Sequence, residues 1–174
     1  MEKAVFGGGC FWCTEAVFKM LKGVTKVVPG YAGGTKEDAT YEKVATGRTE
    51  HAEVTYVEFD PMQVKYTDLL TVFFASHDPT TVNRQGNDVG PQYRSIVFCT
   101  TLEQERTARA YVAGIEGAVT EVVPLVEFFP AENYHHDYYE AHKNQMYCQI
   151  IINPKLEKVQ QRFAALLKDH PHNI

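Results

Sequence analysis

Ala4-Val5-Phe6-Gly7-Gly8-Gly9-Cys10-Phe11-Trp12-Cys13 joins an apolar, β-prone segment to a helix-patterned one over residues 14–21. Cys10 therefore falls where a strand gives way to the first turn of a helix. Unpaired N–H groups and the positive end of the helix dipole meet at such a junction and favour a thiolate. Three glycines allow a tight turn and keep the approach to the sulfur open. Phe11 and Trp12 set an aromatic wall beside it. The combination predicts thiol chemistry on an apolar substrate, with Cys10 as the reactive group.

Working outward, residues 2–6 read as a strand and residues 10–22 as a helix that Gly23 can end. Residues 24–28 are β-branched and closed by Pro29-Gly30, giving a second strand. Residues 31–48 are rich in Gly and Thr and form an ordered loop with a short helix near Tyr41. Residues 51–59 read as a strand, Thr67 caps a helix to Ser76, and residues 77–92 are a polar loop. Then come a strand at 93–99, a helix to Gly117 opened by Thr101-x-x-Gln104, and a strand at 122–128 that Pro124 marks as an edge or bulge. A helix at 134–143, a short strand at 149–152 and a closing helix at 155–167 complete the chain. The pattern is α/β or α+β, one mixed sheet with helices packed on it. Two loops longer than about 12 residues in a compact domain point to function.

The 174 residues fit one domain, residues 1–174, large enough to bury a substantial core. A formal charge of −5 disfavours nucleic acid and anionic membranes as partners. No run approaches the roughly 18 apolar residues of a membrane span, and no signal-peptide pattern opens the chain. The expected compartment is the cytoplasm, where the 4 cysteines remain free or catalytic thiols.

Cys10 and Cys13 form a CxxC pair, a spacing suited to dithiol redox chemistry; the bland reading buries Cys13 in the core. One CxxC is too little for a zinc site, although His135 and His142 could share a helix face. The glycine run lacks the Gly-Lys-Ser/Thr of a phosphate loop. Glu50-His51-Ala52-Glu53 leads into a strand, and a desolvated Glu53 would be a general acid near neutral pH. In the second polar loop, Asp88 can orient a proton donor and Tyr93 can offer a hydroxyl.

Together these segments resemble the peptide methionine sulfoxide reductase A family. The matching pieces are Gly9-Cys10-Phe11-Trp12, Gly30-Tyr31-Ala32-Gly33-Gly34, Thr40-Tyr41, His51-Ala52-Glu53, Phe59-Asp60-Pro61 and His77-Asp78-Pro79. Arg84-Gln85-Gly86-Asn87-Asp88-Val89-Gly90, Gln92-Tyr93-Arg94-Ser95 and Tyr134-His135 follow in the family's order. The resemblance implies a two-layer fold on a ferredoxin-like plait. It implies that Cys10 attacks the sulfoxide sulfur, that Phe11 and Trp12 hold the S-methyl group, and that Glu53 protonates the sulfoxide oxygen. Tyr41 and Tyr93 would help through their hydroxyls, and Asp88 through the surrounding hydrogen bonds. The implied substrate is the S epimer of methionine sulfoxide, free or in oxidised proteins. No cofactor would be bound, and an external thiol (thioredoxin, glutaredoxin or glutathione) would act as reductant for a monomer.

Regeneration of Cys10 from its sulfenic acid leaves three routes open: an external thiol, Cys148 or Cys13. Family members often carry resolving cysteines in a glycine-rich tail after a Tyr-Cys pair. Here Tyr147-Cys148 is followed by Gln149-Ile150-Ile151-Ile152-Asn153-Pro154, an ordered-looking segment. Cys99 ends an apolar strand and reads as core. Glu50, Ala39 and Pro91 depart from the family's usual Gly, Pro and Thr without removing a catalytic group. A thiol–disulfide oxidoreductase using only Cys10 and Cys13 is the competing reading, followed by a non-catalytic methionine-binding module.

Overall fold

The structure, a computed structural model, describes residues 1–169. In chain order its regular elements are β1 (Glu2–Gly7), α1 (Phe11–Lys19), β2 (Val24–Ala32), α2 (Tyr41–Val44) and β3 (Ala52–Phe59). They continue with α3 (Tyr66–Ser76), β4 (Arg84–Gln85), β5 (Asp88–Val89), β6 (Ile96–Cys99), α4 (Leu102–Ala113) and β7 (Glu121–Pro124). β8 (Phe128–Pro130), α5 (Tyr138–Ala141) and α6 (Asn153–Arg162) close the chain.

Six strands form one sheet in the order β7-β6-β1-β3-β2-β8. All neighbours are antiparallel except β6 and β7, which run parallel. β1, α1 and β2 straddle β3, while β3, α3 and β6 straddle β1. This is the ferredoxin-like plait, extended by β7 on one edge and β8 on the other. The mixed sheet and helices match the fold class expected from the sequence.

Side chains alternate across β1, so the sheet is buried on both faces. Ala4 and Phe6 enter the main core under the helices, while Val5 joins a smaller cluster with Ala32, Ala52, Val54, Ile96 and Phe98. Phe6 anchors the main core, its ring 5.0 Å from those of both Phe18 on α1 and Phe73 on α3. β2 runs through Pro29-Gly30 rather than stopping there. Pro29 has no N–H to pair, but its carbonyl accepts from Ala131 N–H at 2.9 Å. Gly30 lets β8 close in, since a Cβ there would lie 2.3 Å from the Phe129 carbonyl.

Several local expectations give way to tertiary pairing. α1 stops at its Met20 cap, because Lys22 N–H is bound to the Leu166 carbonyl at 2.8 Å and Leu21 bridges to Leu167. α3 starts at Tyr66, with Asp68 accepting from Lys65 N–H at 2.9 Å, so Thr67 is not its cap. Thr101 does cap α4, but Gln104 accepts from Thr100 N–H and the helix ends before Gly114. The polar loop contains the β4–β5 hairpin, and Tyr93 belongs to a 3-10 turn (Pro91–Tyr93) before β6. The strand expected at 122–128 divides into β7 and β8.

The helix expected at 134–143 is broken by His136 in extended backbone and Asp137 in the left-handed region, φ 54°. Residues 149–152 are not a strand; Cys148–Ile152 is a π-helical turn that runs into α6. Only Cys148 and Ile152 of that turn are buried while Ile150 between them is exposed; a strand would put all three on one face, so the pattern suits a helix. The closing helix ends at Arg162, followed by a 3-10 turn at Ala164–Leu166. A buried Glu15 ties this region to α1: it accepts from Asp137 N–H at 2.9 Å and pairs with Lys19 at 2.8 Å. Lys19 also pairs with Asp137.

Candidate active site

The site forms where β1 ends and α1 begins, over the start of β3. Gly9 takes φ +91°, and a Cβ on it would sit 2.7 Å from the Gln85 side chain, so only glycine fits this turn without strain. Cys10 then caps α1 in extended backbone. The free donors of the first helical turn are shared out. Phe11 N–H donates to Glu53 Oε2 at 3.1 Å and Cys13 N–H donates to the Cys10 carbonyl at 3.1 Å, while the Cys10 side chain makes no cap hydrogen bond.

Glu53 lies on β3 with 2% of its surface exposed. Burial pushes its carboxyl up to about 8, against the opposing pull of the Phe11 N–H. The charge of Asp88 adds to the rise. The group is a neutral acid at pH 7, a proton donor held beneath the helix start.

The Cys10 thiol is also pushed up, first by burial, then by its hydrogen bond with Cys13 and by the Glu53 charge. This reverses the depressed thiol expected from the helix start. Trp12 N–H works in the expected direction, but Phe11 N–H is taken by Glu53 and burial prevails. Cys13 moves the other way, down to about 7, chiefly because the Cys10 thiol hydrogen-bonds to it. Lys155 and the Tyr147 hydroxyl lower it further. The two sulfurs therefore act as one titrating unit, with the proton held on Cys10.

The remaining sequence-predicted residues gather around this pair. Burial raises the Tyr41 and Tyr93 hydroxyls, and the charges of Glu53 and Cys10 act on both. Asp88, on β5, accepts from the Tyr147 hydroxyl at 3.4 Å. That hydroxyl also lies 3.7 Å from Cys13 Sγ, so Tyr147 links Asp88 to the cysteine pair. Phe11 is buried, its ring 5.0 Å from His135 and 5.7 Å from Tyr31. Trp12 is half-buried and stacks on Tyr138 at 3.7 Å with the planes 5° apart. Its indole N–H donates to His135 Nδ1 at 3.1 Å, which assigns the imidazole proton to Nε2.

Tyr147, His135 and Tyr138 also border the candidate site; the sequence reading assigned no role to the two tyrosines and weighed His135 only as a metal ligand. His135 was visible in Tyr134-His135 and Tyr147 in Tyr147-Cys148, but nothing local to Tyr138 placed it on Trp12. His135 and His142 do not share a helix face: one bonds Trp12 and the other stacks on Tyr138 at 4.1 Å. Among the described residues no three His, Cys, Asp or Glu side chains are grouped to hold a metal ion. Cys148 is fully buried on the π-helical turn, and Cys99 ends β6 in the core with its thiol pushed up to about 11 by burial. A cavity of about 660 Å³ lined by Met1, Lys3, Tyr66, Thr100 and Gln104 lies at the opposite end of β1 and holds none of these groups.

A family model described as peptide methionine sulfoxide reductase matches residues 2–167. The chain is 51% identical over 173 residues to the peptide methionine sulfoxide reductase MsrA of Acinetobacter baumannii (strain SDF), covering 97% of this chain and 99% of that one. It is 52% identical over 168 residues to the protein of that name from Sulfolobus acidocaldarius, covering 94% and 96%. Among solved structures, methionine sulfoxide reductase A of Corynebacterium diphtheriae superposes with a TM-score of 0.75 at 35% identity, over 82% of this chain and 75% of that one. With the site's cysteine, acid and aromatic wall falling inside the matched span, the chain belongs to the peptide methionine sulfoxide reductase family.

Proposed function

We propose that this protein reduces the S epimer of methionine sulfoxide, with Cys10 as nucleophile and Glu53 as proton donor. The observation that carries the reading is a buried, neutral carboxylic acid bonded to the first N–H of the helix that Cys10 caps. Sulfoxide oxygen is a poor leaving group until protonated, so an acid kept neutral by burial is the useful form. Cys10 attacks the sulfur, a sulfur–sulfur bond forms, the oxygen takes the proton of Glu53, and the proton released by the Cys10 thiol replaces it on the Glu53 carboxylate. Oxygen transfer to Cys10 releases methionine and leaves a Cys10 sulfenic acid.

Tyr41 and Tyr93 stabilise the oxygen as it gains charge, because their hydroxyls stay protonated. Asp88 acts through Tyr147. Phe11 and Trp12 supply the apolar contact for the methyl group. An external thiol (thioredoxin, glutaredoxin or glutathione) restores the enzyme, and no bound cofactor takes part. Four free cysteines fit a reducing compartment, and we assign the protein to the cytoplasm as a monomer with one catalytic domain. No helix among the described residues is long and apolar enough to cross a membrane.

The test is reduction of the separate R and S epimers of a methionine sulfoxide substrate, driven by dithiothreitol, with wild type and Cys10→Ser. Reduction of the S epimer alone, abolished in the variant, is expected. Reduction by folded Cys10→Ser, or no reduction by wild type, overturns the assignment.

A further inference from the structure

Glu132 follows β8 and takes no part in the chemistry above, yet it collects three hydrogen bonds at the edge of the site. Its Oε1 accepts from the Tyr31 hydroxyl at 3.1 Å. Its Oε2 accepts from the Tyr41 N–H and the Tyr134 hydroxyl, both at 3.1 Å. Tyr31 is fully buried on β2, Tyr41 opens the four-residue α2, and Tyr134 lies in the 3-10 turn Asn133–His135. One carboxyl therefore ties together a strand, a short helix and a turn. Its own backbone is anchored: Ala131 N–H donates to the Pro29 carbonyl at 2.9 Å, and the Glu132 carbonyl accepts from His135 N–H at 3.0 Å.

Glu132 and Glu53 are driven in opposite directions. Burial works to raise both carboxyls, and at Glu53 it prevails over the Phe11 N–H. At the half-buried Glu132 the donors outweigh it and hold the group below the ordinary carboxylate value. An ionised carboxyl only accepts, so Glu132 can take all three bonds at once and has no proton to give. Glu53 is suited to supplying a proton, Glu132 to holding donors in place.

The donor that bears on the reaction is the Tyr41 N–H. A single helical turn has little stability of its own. Val44 is buried and pins the far end of α2, while Glu132 pins the end that carries Tyr41. The Tyr41 ring lies 4.5 Å from His135, and the charges of Glu53 and Cys10 act on its hydroxyl. Tyr31 and Glu53 are directly opposed on β2 and β3, so the Tyr31 bond of Glu132 fastens α2 to the sheet beside the acid.

We propose that Glu132 is a positioning residue for the reduction: by binding the Tyr31 hydroxyl and the Tyr41 N–H together, it sets the Tyr41 hydroxyl where the sulfoxide oxygen gains charge. The inference rests on Tyr41 being a donor to that oxygen. Glu132 acts only through Tyr41.

The experiment is the single-turnover rate of methionine formation at saturating S sulfoxide, with a melting curve for each variant. Glu132→Leu alone would strand the buried Tyr31 hydroxyl, so it is made together with Tyr31→Phe, which leaves both positions apolar. Relative to Tyr31→Phe, the Tyr31→Phe/Glu132→Leu protein should be slower by about 10- to 100-fold, the effect of a misplaced donor. Adding Tyr41→Phe should shrink that loss to about twofold or less, because the hydroxyl being placed is gone. In the otherwise unchanged protein, Glu132→Gln can still accept from the Tyr41 N–H and should keep most of the rate. Glu132→Asp keeps the charge but is one methylene short, and should be slower than Glu132→Gln. A folded Tyr31→Phe/Glu132→Leu protein as fast as Tyr31→Phe overturns the inference. So does a loss that persists in full with Tyr41→Phe, or a Glu132→Asp protein faster than Glu132→Gln. Each of these leaves the proposed reduction by Cys10 and Glu53 intact, whereas folded wild type that forms no methionine overturns both.

Discussion

Phe11 and Glu53, 42 residues apart in sequence, are joined by a hydrogen bond from the Phe11 N–H to Oε2 at 3.1 Å. The bond fixes a buried carboxyl against the first turn of the helix that Cys10 caps. It also removes from Cys10 one of the donors that would have stabilised its thiolate. Glu53 and Cys10 are thus set by the same helix end, and burial keeps both protonated at rest.

Glu53 makes stability depend on pH. Its folded carboxyl sits at about 8 against an ordinary 4.5, so between those values the folded state holds a proton that the unfolded state has lost. Stability therefore falls as pH rises through that window, by up to about 1.4 kcal/mol per unit. In Glu53→Gln this contribution is absent. Urea midpoints from pH 5 to 9 should decline more steeply for wild type than for the variant; parallel curves would contradict the burial of a neutral acid.

Trp12 is the single tryptophan, so intrinsic fluorescence reports on the site alone. Tyr138 covers one face of the indole at 3.7 Å. Tyr138→Ala should expose that face and shift the emission maximum to the red, with stability reduced by about 1 kcal/mol from the lost stacking. An unshifted maximum would mean the stack is absent in solution.

Tyr147 joins Asp88 to Cys13 through one hydroxyl. Tyr147→Phe keeps the ring and removes the link, leaving Asp88 without its donor. Turnover should fall about tenfold, the worth of one hydrogen bond to a charged group, with the melting temperature little changed. Wild-type turnover in a folded variant would take Tyr147 out of the proton network.

Gly9 at φ +91° sets the direction in which Cys10 leaves the sheet. Gly9→Ala should cost about 1–2 kcal/mol, roughly 3–6 °C in melting temperature, from backbone strain and the contact with Gln85. Turnover should fall further than stability, since Cys10 moves with the turn. A variant as stable as wild type would argue against the left-handed turn.

The β1–α1 junction, β3 and the Thr101 cap were legible in the sequence because local pattern and tertiary role agree there. Cys10 and Glu53 could be singled out for the same reason. The direction of the Cys10 thiol could not, because it depends on a carboxyl from a distant strand claiming the Phe11 N–H. The run Ile150-Ile151-Ile152 looked like a strand, yet packing selects Cys148 and Ile152 at helical spacing. The break at Asp137 is fixed by Glu15 on α1, a contact across 122 residues that no local pattern encodes. The Tyr138–Trp12 stack depends on that break and was hidden with it.

The most direct test of the central claim is the single-turnover rate of methionine formation from the S sulfoxide, measured from pH 6 to 9.5 in wild type and Glu53→Gln. The wild-type rate should fall as pH rises through about 8, where Glu53 loses its proton, and the variant should be slow throughout without that fall. A Glu53→Gln protein as fast as wild type would contradict the role of Glu53 as the acid that releases the sulfoxide oxygen.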